Sequence, residues 1–411
     1  MYTLSNFLFV CLCIYVFIYS ITHFIKNGFI ILNFRTLFTL GFVYYLIVPY
    51  YYLIFKNDKT VISLFNGVYE YAEKVSELNY CLYMISIFIL YFCTMLFSKY
   101  HVTSFNKYKN ENGNVFKLNY KFFYIVFFVL CLFFTYKFRT FLGKGYTEDS
   151  NMTGEKGAFL TASIILYILS FHCISPKTKC FSLYGLVYFV FALIILTMGG
   201  RLYFLTTFLS IIVFYANYNR KIRIRHFIFA IIIVGLIFSA IGIIRQGNKI
   251  TSKLLLFIFL GEPILTSYSL FSCLSMNNIP ILQFPYEFIF GFINLVPSFV
   301  LPNKVELINK FADLAKFNFV APVGAENVFT SLMVNFGILG IPLFVFCLSM
   351  FLRKIKSINQ DLYYFAISWF VFTFYRDPFY VSLWKILFEF VFLIPVCLYI
   401  YNNFMYRCLK K

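Results

Sequence analysis

The chain has 411 residues, of which 61% are hydrophobic, 23% aromatic and only 12% charged. This composition excludes a soluble globular protein, because repeated apolar runs of bilayer-crossing length account for the excess. The formal net charge of +19 does not indicate nucleic-acid binding, because lysine and arginine cluster in short connectors, which is typical of a cytoplasmic topology signal. The 11 cysteines form no CxxC pair, so we expect neither a disulfide framework nor a metal site.

Apolar windows of about 20 residues predict transmembrane helices along most of the chain. Eleven such windows lie at 4–22, 34–55, 79–98, 120–138, 158–175, 180–198, 202–217, 226–244, 327–351, 361–377 and 380–401. We therefore expect an all-α, polytopic integral membrane protein with 11 transmembrane helices.

Lysine and arginine concentrate in every second connector between these predicted spans. The positive-inside rule places these connectors in the cytoplasm, so the amino terminus lies outside and the carboxyl terminus inside. The prediction divides the chain into a bundle of eight spans (1–244), a large outer loop (245–326), and three spans with a cytoplasmic tail (327–411).

Two stretches within the outer loop have an ambiguous pattern. The stretch 254–274 is long enough to cross but is interrupted by Gly-Glu-Pro at 261–263, and the stretch 284–301 is short and contains Glu287. Because the loop must begin and end outside, either both stretches cross, giving 13 spans, or neither does. We expect neither, with both forming interfacial or re-entrant helices, because interrupted backbone at membrane depth needs protein or water partners.

Four arginines lie at the outer mouths of predicted spans, where the outer loops otherwise use lysine. They are Arg139, Arg201, Arg245 and Arg376. The planar guanidinium group binds phosphate or carboxylate through two parallel hydrogen bonds, which lysine cannot do. Together they predict an anion site at the outer face. The alternative is that each reaches the lipid headgroups or pairs with a local acid, as Arg376 could with adjacent Asp377.

Three glutamates, Glu262, Glu287 and Glu326, stand in apolar surroundings. Burial would raise the pKa of such a carboxyl group and suit it to general-base catalysis, although each could instead be a structural partner for one of the arginines. The sequence contains no Asp-x-Asp, HExxH, GxxxxGK[ST] or GxSxG motif. We therefore expect no metal and no cofactor, and chemistry that uses neither ATP nor a nucleotide sugar.

Several short motifs resemble the O-antigen polymerase (Wzy) family. They are Gly199-Gly200-Arg201 opening a span, Ile243-Ile244-Arg245, Gly324-Ala325-Glu326-Asn327, the stretch from Asn335 to Gly340, and Tyr375-Arg376. The large outer loop before the last spans also matches this family. Its members are multi-pass enzymes of the bacterial inner membrane that link lipid-carried oligosaccharide repeat units at the periplasmic face.

The resemblance implies a metal- and nucleotide-independent glycosyltransferase of lipopolysaccharide biosynthesis. Such an enzyme polymerises undecaprenyl-diphosphate-linked repeat units into O-antigen, and its partners are the lipid-linked donor and acceptor, the bilayer, a chain-length regulator and a flippase. On this hypothesis Arg139, Arg201, Arg245 and Arg376 bind the substrate diphosphates. Glu262 or Glu326 would then be the catalytic group that deprotonates the attacking sugar hydroxyl.

Two other functions suit a membrane protein of this size. A flippase for the lipid-linked unit is one, but it would bury charges along a central path, whereas here they gather at one face. An O-antigen ligase is the other, and it differs in its acceptor. Related ligases carry an outer histidine, whereas all four histidines here lie on the predicted cytoplasmic side.

Overall fold

The computed structural model describes six stretches of the chain. They are residues 3–27, 32–98, 252–296, 300–310, 317–358 and 360–386, without 305, 308, 323 and 324, and with isolated positions at 125, 128, 129, 132, 133, 136, 209, 212, 213, 396 and 399. The predicted spans at 158–175, 180–198 and 226–244 lie outside the described residues, as do Arg139, Arg201 and Arg245.

Two compact units make up the chain. The first comprises Met1–Thr103, Thr251–Ile358 and Trp369–Lys385, and the second comprises Ser104–Ile250, Asn359–Ser368 and Ile386–Lys411. The site discussed below belongs wholly to the first unit. In the second unit, the described part consists of helical residues in 360–368, Ile386 and the isolated positions.

Every regular element in the described stretches is helical. The helices are α1 (Thr3–Asn27), α2 (Phe34–Phe55), α3 (Lys59–Leu64), α4 (Asn66–Lys74), α5 (Glu77–Phe97), α6 (Ser252–Met276), α7 (Tyr286–Phe290), α8 (Val328–Ile358), α9 (Gln360–Trp369), α10 (Thr373–Arg376) and α11 (Phe379–Ile386). Helix α2 includes the π-helical segments Val43–Ile47 and Tyr51–Phe55, which flank Pro49. Proline lacks the N–H that a regular turn requires, which accounts for the widened turns.

Four of the described helices are long and apolar enough to cross a membrane. They are Thr3–His23, Phe34–Phe55, Glu77–Phe97 and Val328–Ser357, and they coincide with the predicted spans at 4–22, 34–55, 79–98 and 327–351. The chain is therefore a multi-pass membrane protein, as its composition predicts, and the elements that its described residues form are all helical. The total of 11 or 13 spans stays a prediction.

Tyrosine and phenylalanine form much of the core between these helices. Tyr45, Tyr80 and Tyr83 are buried completely or almost so. Helices α5 and α8 pack through an edge-to-face contact between Tyr83 and Phe329, whose ring centroids are 4.7 Å apart. The Tyr80 hydroxyl donates to the carbonyl of Ala72 at 2.6 Å, because a buried hydroxyl group without a partner would be destabilising.

Helix α6 continues without interruption through residues 261–263, so the predicted break there is wrong. Pro263 has no N–H to donate to the carbonyl of Phe259 one turn earlier. The hydroxyl group of Tyr44 on α2 donates to that carbonyl instead, at 2.6 Å. Because a neighbouring helix satisfies the freed backbone group, the proline lies inside the helix without ending it.

The second ambiguous stretch forms only short elements. Helix α7 has 5 residues and is followed by a 3-10 helix, Gly291–Leu295. An α-helix of this length rises about 7.5 Å, far less than the roughly 30 Å of a bilayer core. That both ambiguous stretches are interfacial or re-entrant stays a prediction.

A backbone break divides α8 at Gly337, which has φ +64° and ψ −173°. The freed N–H groups of Ile338 and Leu339 donate to the carbonyls of Pro280 and Ile281, at 3.1 and 3.0 Å. The N–H of Gln283 returns a bond to the carbonyl of Phe336 at 3.2 Å. The irregular segment after α6 is thus bound to the middle of a membrane-length helix, where freed backbone groups must have protein partners.

The predicted span at 361–377 is not one helix. Helix α9 ends at Trp369 and a turn over 370–372 leads into the short helix α10. In the first unit, Phe370 and Phe374 pack against each other and against aromatic residues of α2, Phe34 and Phe38 respectively. Only 379–386 of the predicted last span at 380–401 is described as a continuous helix, α11.

Candidate functional site

Arg376 lies at the end of α10, and the residue before it fixes this helix on α2. The hydroxyl of Tyr375 donates to the carbonyl of Phe38 at 3.0 Å, and its ring stacks on Tyr45 at 5.9 Å. A Cβ atom added to Gly41 would overlap the Tyr375 ring, so the close approach of α10 to α2 requires glycine there. The backbone position of Arg376 is therefore set by packing against a membrane-length helix.

The guanidinium group of Arg376 contacts two carboxylates. Its Nε donates to Glu262 Oε2 at 2.9 Å and its Nη1 to Asp377 Oδ1 at 3.0 Å. These bonds leave Nη2 without a hydrogen-bond partner among the residues the structure describes, and the side chain is 18% exposed. Pairing with a local acid, the sequence-based alternative for Arg376, is thus present.

Glu326 lies beside Arg376 through a backbone contact. Its N–H donates to the carbonyl of Arg376 at 2.8 Å. Its carboxyl group is buried, 6% exposed, and accepts a short hydrogen bond from the hydroxyl of Ser331. Burial, followed by the nearby charges of Glu287 and Asp377, raises the pKa of this carboxyl group well above its usual value, although the Ser331 bond opposes the rise.

Glu287 of α7 faces the same part of α8. The amide of Asn335 donates to Glu287 Oε2 at 3.2 Å and to the carbonyl of Ser331 at 2.8 Å. The Asn335 side-chain oxygen accepts from the N–H of Phe288 at 2.8 Å. Burial raises the pKa of Glu287 to about 7, opposed by the Asn335 bond. Asn335 therefore fixes both α7 and the Glu287 carboxylate.

The structure brings three predicted site residues, Glu262, Glu326 and Arg376, into one cluster. Asp377 joins it as a partner of Arg376, and Glu287 joins it through its electrostatic interaction with Glu326. Arg139, Arg201 and Arg245 lie outside the described residues, so their convergence on this cluster stays a prediction. Among the described residues, no group of three or more His, Cys, Asp or Glu could hold a metal ion.

The sequence-based prediction did not single out Ser331 and Asn335 as site residues. Both are completely buried on α8, four positions apart, in the mostly apolar first half of the helix. Polar side chains at this spacing share one helix face, and inside a membrane-length helix they indicate a functional face or a structural contact. This spacing was the available signal for Asn335.

The described cluster combines one oriented cation with four carboxyl groups. Glu262 and Asp377 compensate the Arg376 charge and hold its guanidinium group in place, while Glu287 and Glu326 retain protons to higher pH than isolated carboxyl groups do. Such an arrangement can bind an anionic group at Arg376 Nη2 and transfer a proton nearby. No protein-family model, curated protein or solved structure matches the chain.

Proposed function

We propose that the chain is a membrane glycosyltransferase that polymerises undecaprenyl-diphosphate-linked oligosaccharide repeat units into O-antigen. The reaction takes place at the periplasmic face of the bacterial inner membrane. The observation that carries the proposal is the oriented Arg376 guanidinium group, whose Nη2 has no partner among the described residues, beside the Glu287 and Glu326 carboxyl groups, whose pKa values are raised. The motif resemblance around Arg201, Glu326 and Arg376 supports the same assignment.

Arg376 binds the diphosphate of a lipid-linked substrate in this proposal. Negative charge develops on the diphosphate as its bond to the sugar breaks, and a fixed guanidinium group stabilises that charge without a metal ion. Arg139, Arg201 and Arg245 supply further guanidinium groups to donor and acceptor. The diphosphate bond itself provides the driving force, so the reaction requires no ATP.

Glu262 has a positioning role in the proposed reaction. The Glu262 carboxylate accepts a hydrogen bond from Arg376 Nε at 2.9 Å. This bond orients the guanidinium group and occupies one of the two carboxylate oxygens. In this proposal the ion pair assigns Glu262 to the orientation of Arg376 rather than to the attacking hydroxyl group. The proton of the attacking hydroxyl therefore goes to a carboxyl group on the α7 and α8 side of the cluster.

Deletion of the gene from its bacterium tests the proposed function. We expect lipopolysaccharide that carries the core and one repeat unit, with long chains restored by the wild-type gene and not by Arg376→Ala. Lipopolysaccharide without any repeat unit would indicate a flippase, and long lipid-linked chains left unattached would indicate a ligase. Unchanged long chains in the deletion strain would contradict all three functions.

A further inference from the structure

The side of the cluster formed by α7 and α8 contains two carboxyl groups that Arg376 does not contact. Glu326 precedes the first turn of α8 and Glu287 lies in α7, and Ser331 and Asn335 connect them through hydrogen bonds. The electrostatic repulsion between the two groups raises the pKa of Glu326. When two carboxyl groups repel each other in this way, ionisation of the first disfavours ionisation of the second.

The two groups differ in how they can meet a substrate. Glu326 is 6% exposed and its Oε1 accepts from Ser331, so it is directed into the protein. Glu287 is only partly buried, and its Oε2 accepts from Asn335. Its Oε1 makes no hydrogen bond to the described residues and can accept a proton from an incoming hydroxyl group.

We propose that Glu287 is the general base of the glycosyl transfer proposed above, and that protonated Glu326 and the Asn335 amide position it. This inference rests on the proposed function and adds the residue that takes the proton. In the step, the acceptor hydroxyl oxygen forms a bond to the anomeric carbon of the donor, and its proton moves to Glu287 Oε1. The bond from the anomeric carbon to the diphosphate breaks, and its electron pair leaves with the diphosphate, which Arg376 neutralises.

The surroundings of Glu287 favour a base that works near neutral pH. Among the described residues, Cys273 of α6 and Tyr380 of α11 interact electrostatically with both groups of the pair, and Asp377 interacts with Glu326. These groups are neutral or anionic, so none of them stabilises the ionised form of Glu287. A general base is most effective when its pKa lies close to the working pH, and Glu287 has a pKa of about 7.

Polymer formation by purified protein tests this inference. Undecaprenyl-diphosphate-linked repeat units serve as both donor and acceptor. The rate is measured from about pH 5.5 to about pH 8.5, a range of roughly 3 units around the expected pKa. We expect the wild-type rate to rise through about pH 7. Glu287→Gln should lose about 100-fold or more above that pH, and its rate should no longer rise with pH, so that its difference from wild type shrinks toward acid pH. Glu326→Gln tests the positioning role through the pH profile: the pH at which the rate rises should stay at about 7, because glutamine reproduces a protonated carboxyl group. Glu306→Gln, on an exposed side chain, is the matched control and should match wild type.

The outcomes separate this inference from the function on which it rests. Wild-type protein that forms no polymer would overturn both. If the wild type is active and Glu287→Gln is equally active, the role of Glu287 alone is overturned. The same holds if Glu326→Gln loses activity while Glu287→Gln does not. Donor binding by Glu287→Gln, measured in the same preparation, should equal that of wild type and shows that the variant is folded.

Discussion

The backbone N–H of Glu326 donates to the backbone carbonyl of Arg376 at 2.8 Å, although the residues are 50 positions apart in the sequence. This bond joins the start of α8 to the end of α10. Because it involves only main-chain atoms, a substitution of either side chain leaves it intact. Changes to the two side chains therefore test their chemistry while the backbone connection between them is preserved.

Replacing Arg376 by lysine should not preserve function. A lysine ammonium group is a point charge, so it cannot hold Glu262 and Asp377 and still present a free planar edge to a diphosphate. We expect both Arg376→Ala and Arg376→Lys to lose roughly 100-fold or more of polymer formation. Lipopolysaccharide chain length in complemented deletion cells measures this. Lys310→Ala, from an exposed ion pair, is the control, and long chains in Arg376→Lys would contradict the planar-edge role.

Neutral substitutions at buried Glu326 and at partly buried Glu287 should stabilise the fold at alkaline pH. The pKa of Glu287 rises from its usual 4.5 to about 7 on folding, so the folded state binds the proton more tightly than the unfolded state. The stability contributed by this group is present below its unfolded pKa and is lost as the pH rises through about 7, a difference of roughly 3 kcal/mol. Glu287→Gln should therefore raise the melting temperature at about pH 8, roughly one unit above the folded pKa. The gain should shrink toward about pH 5, which is close to the unfolded pKa.

Glu326→Gln should change the melting temperature in the same direction, because the pKa of Glu326 is also raised by burial and by Glu287. Thermal unfolding of the detergent-solubilised protein measures both variants. Glu306→Gln, at a side chain that is 63% exposed, should show little dependence on pH. Destabilisation of Glu287→Gln at alkaline pH would contradict the burial of an ionisable carboxyl group there.

Gly337→Ala should destabilise the protein strongly. The residue has φ +64°, and a Cβ atom there would lie 2.8 Å from the carbonyl oxygen of Pro280, so alanine adds both backbone strain and a collision with backbone atoms. Gly261→Ala is the matched control, because a Cβ atom at that helical position meets nothing within 4 Å. We expect a loss of roughly 2 kcal/mol or more at Gly337 and no loss at Gly261, measured by thermal unfolding. Equal effects would contradict the backbone break.

Tyr44→Phe should weaken α6 at its proline. The substitution removes the hydroxyl group that donates to the carbonyl of Phe259 and leaves that carbonyl without the donor that Pro263 cannot supply. We expect a loss of about 1–2 kcal/mol in the free energy of unfolding. Tyr51→Phe, at a residue on the same helix that is 38% exposed, is the control. A loss in Tyr51→Phe as large as that in Tyr44→Phe would contradict the specific role of the Tyr44 hydroxyl group.

The membrane class and four of the spans follow from the sequence, because run length and apolarity are local properties of the chain. Pairing of Arg376 with Asp377 was foreseen as an alternative, because the two residues are adjacent. The continuity of α6 does not follow from the sequence, because it depends on Tyr44, which is 215 positions away from the carbonyl group to which it donates. A proline inside an apolar run predicts a break only when no neighbouring helix can supply the missing donor.

The composition of the site also depends on long-range contacts. Glu262 and Arg376 are separated by 114 positions, and Glu287 and Asn335 by 48. Residue type selects Glu262, Glu287 and Arg376 as candidates, but it cannot say which residues they meet. The glycines at 337 and 340 look alike in the sequence, and only the first has a left-handed backbone.

The most direct measurement of the central claim is the affinity of the purified protein for an undecaprenyl-diphosphate-linked repeat unit. Wild type, Arg376→Ala and Lys310→Ala would be compared in the same lipid environment. Charge-assisted hydrogen bonds to a phosphate contribute roughly 1.5–3 kcal/mol, so we expect the Kd of Arg376→Ala to rise about 10-fold or more and that of Lys310→Ala to stay unchanged. An unchanged Kd in Arg376→Ala would contradict diphosphate binding at this arginine.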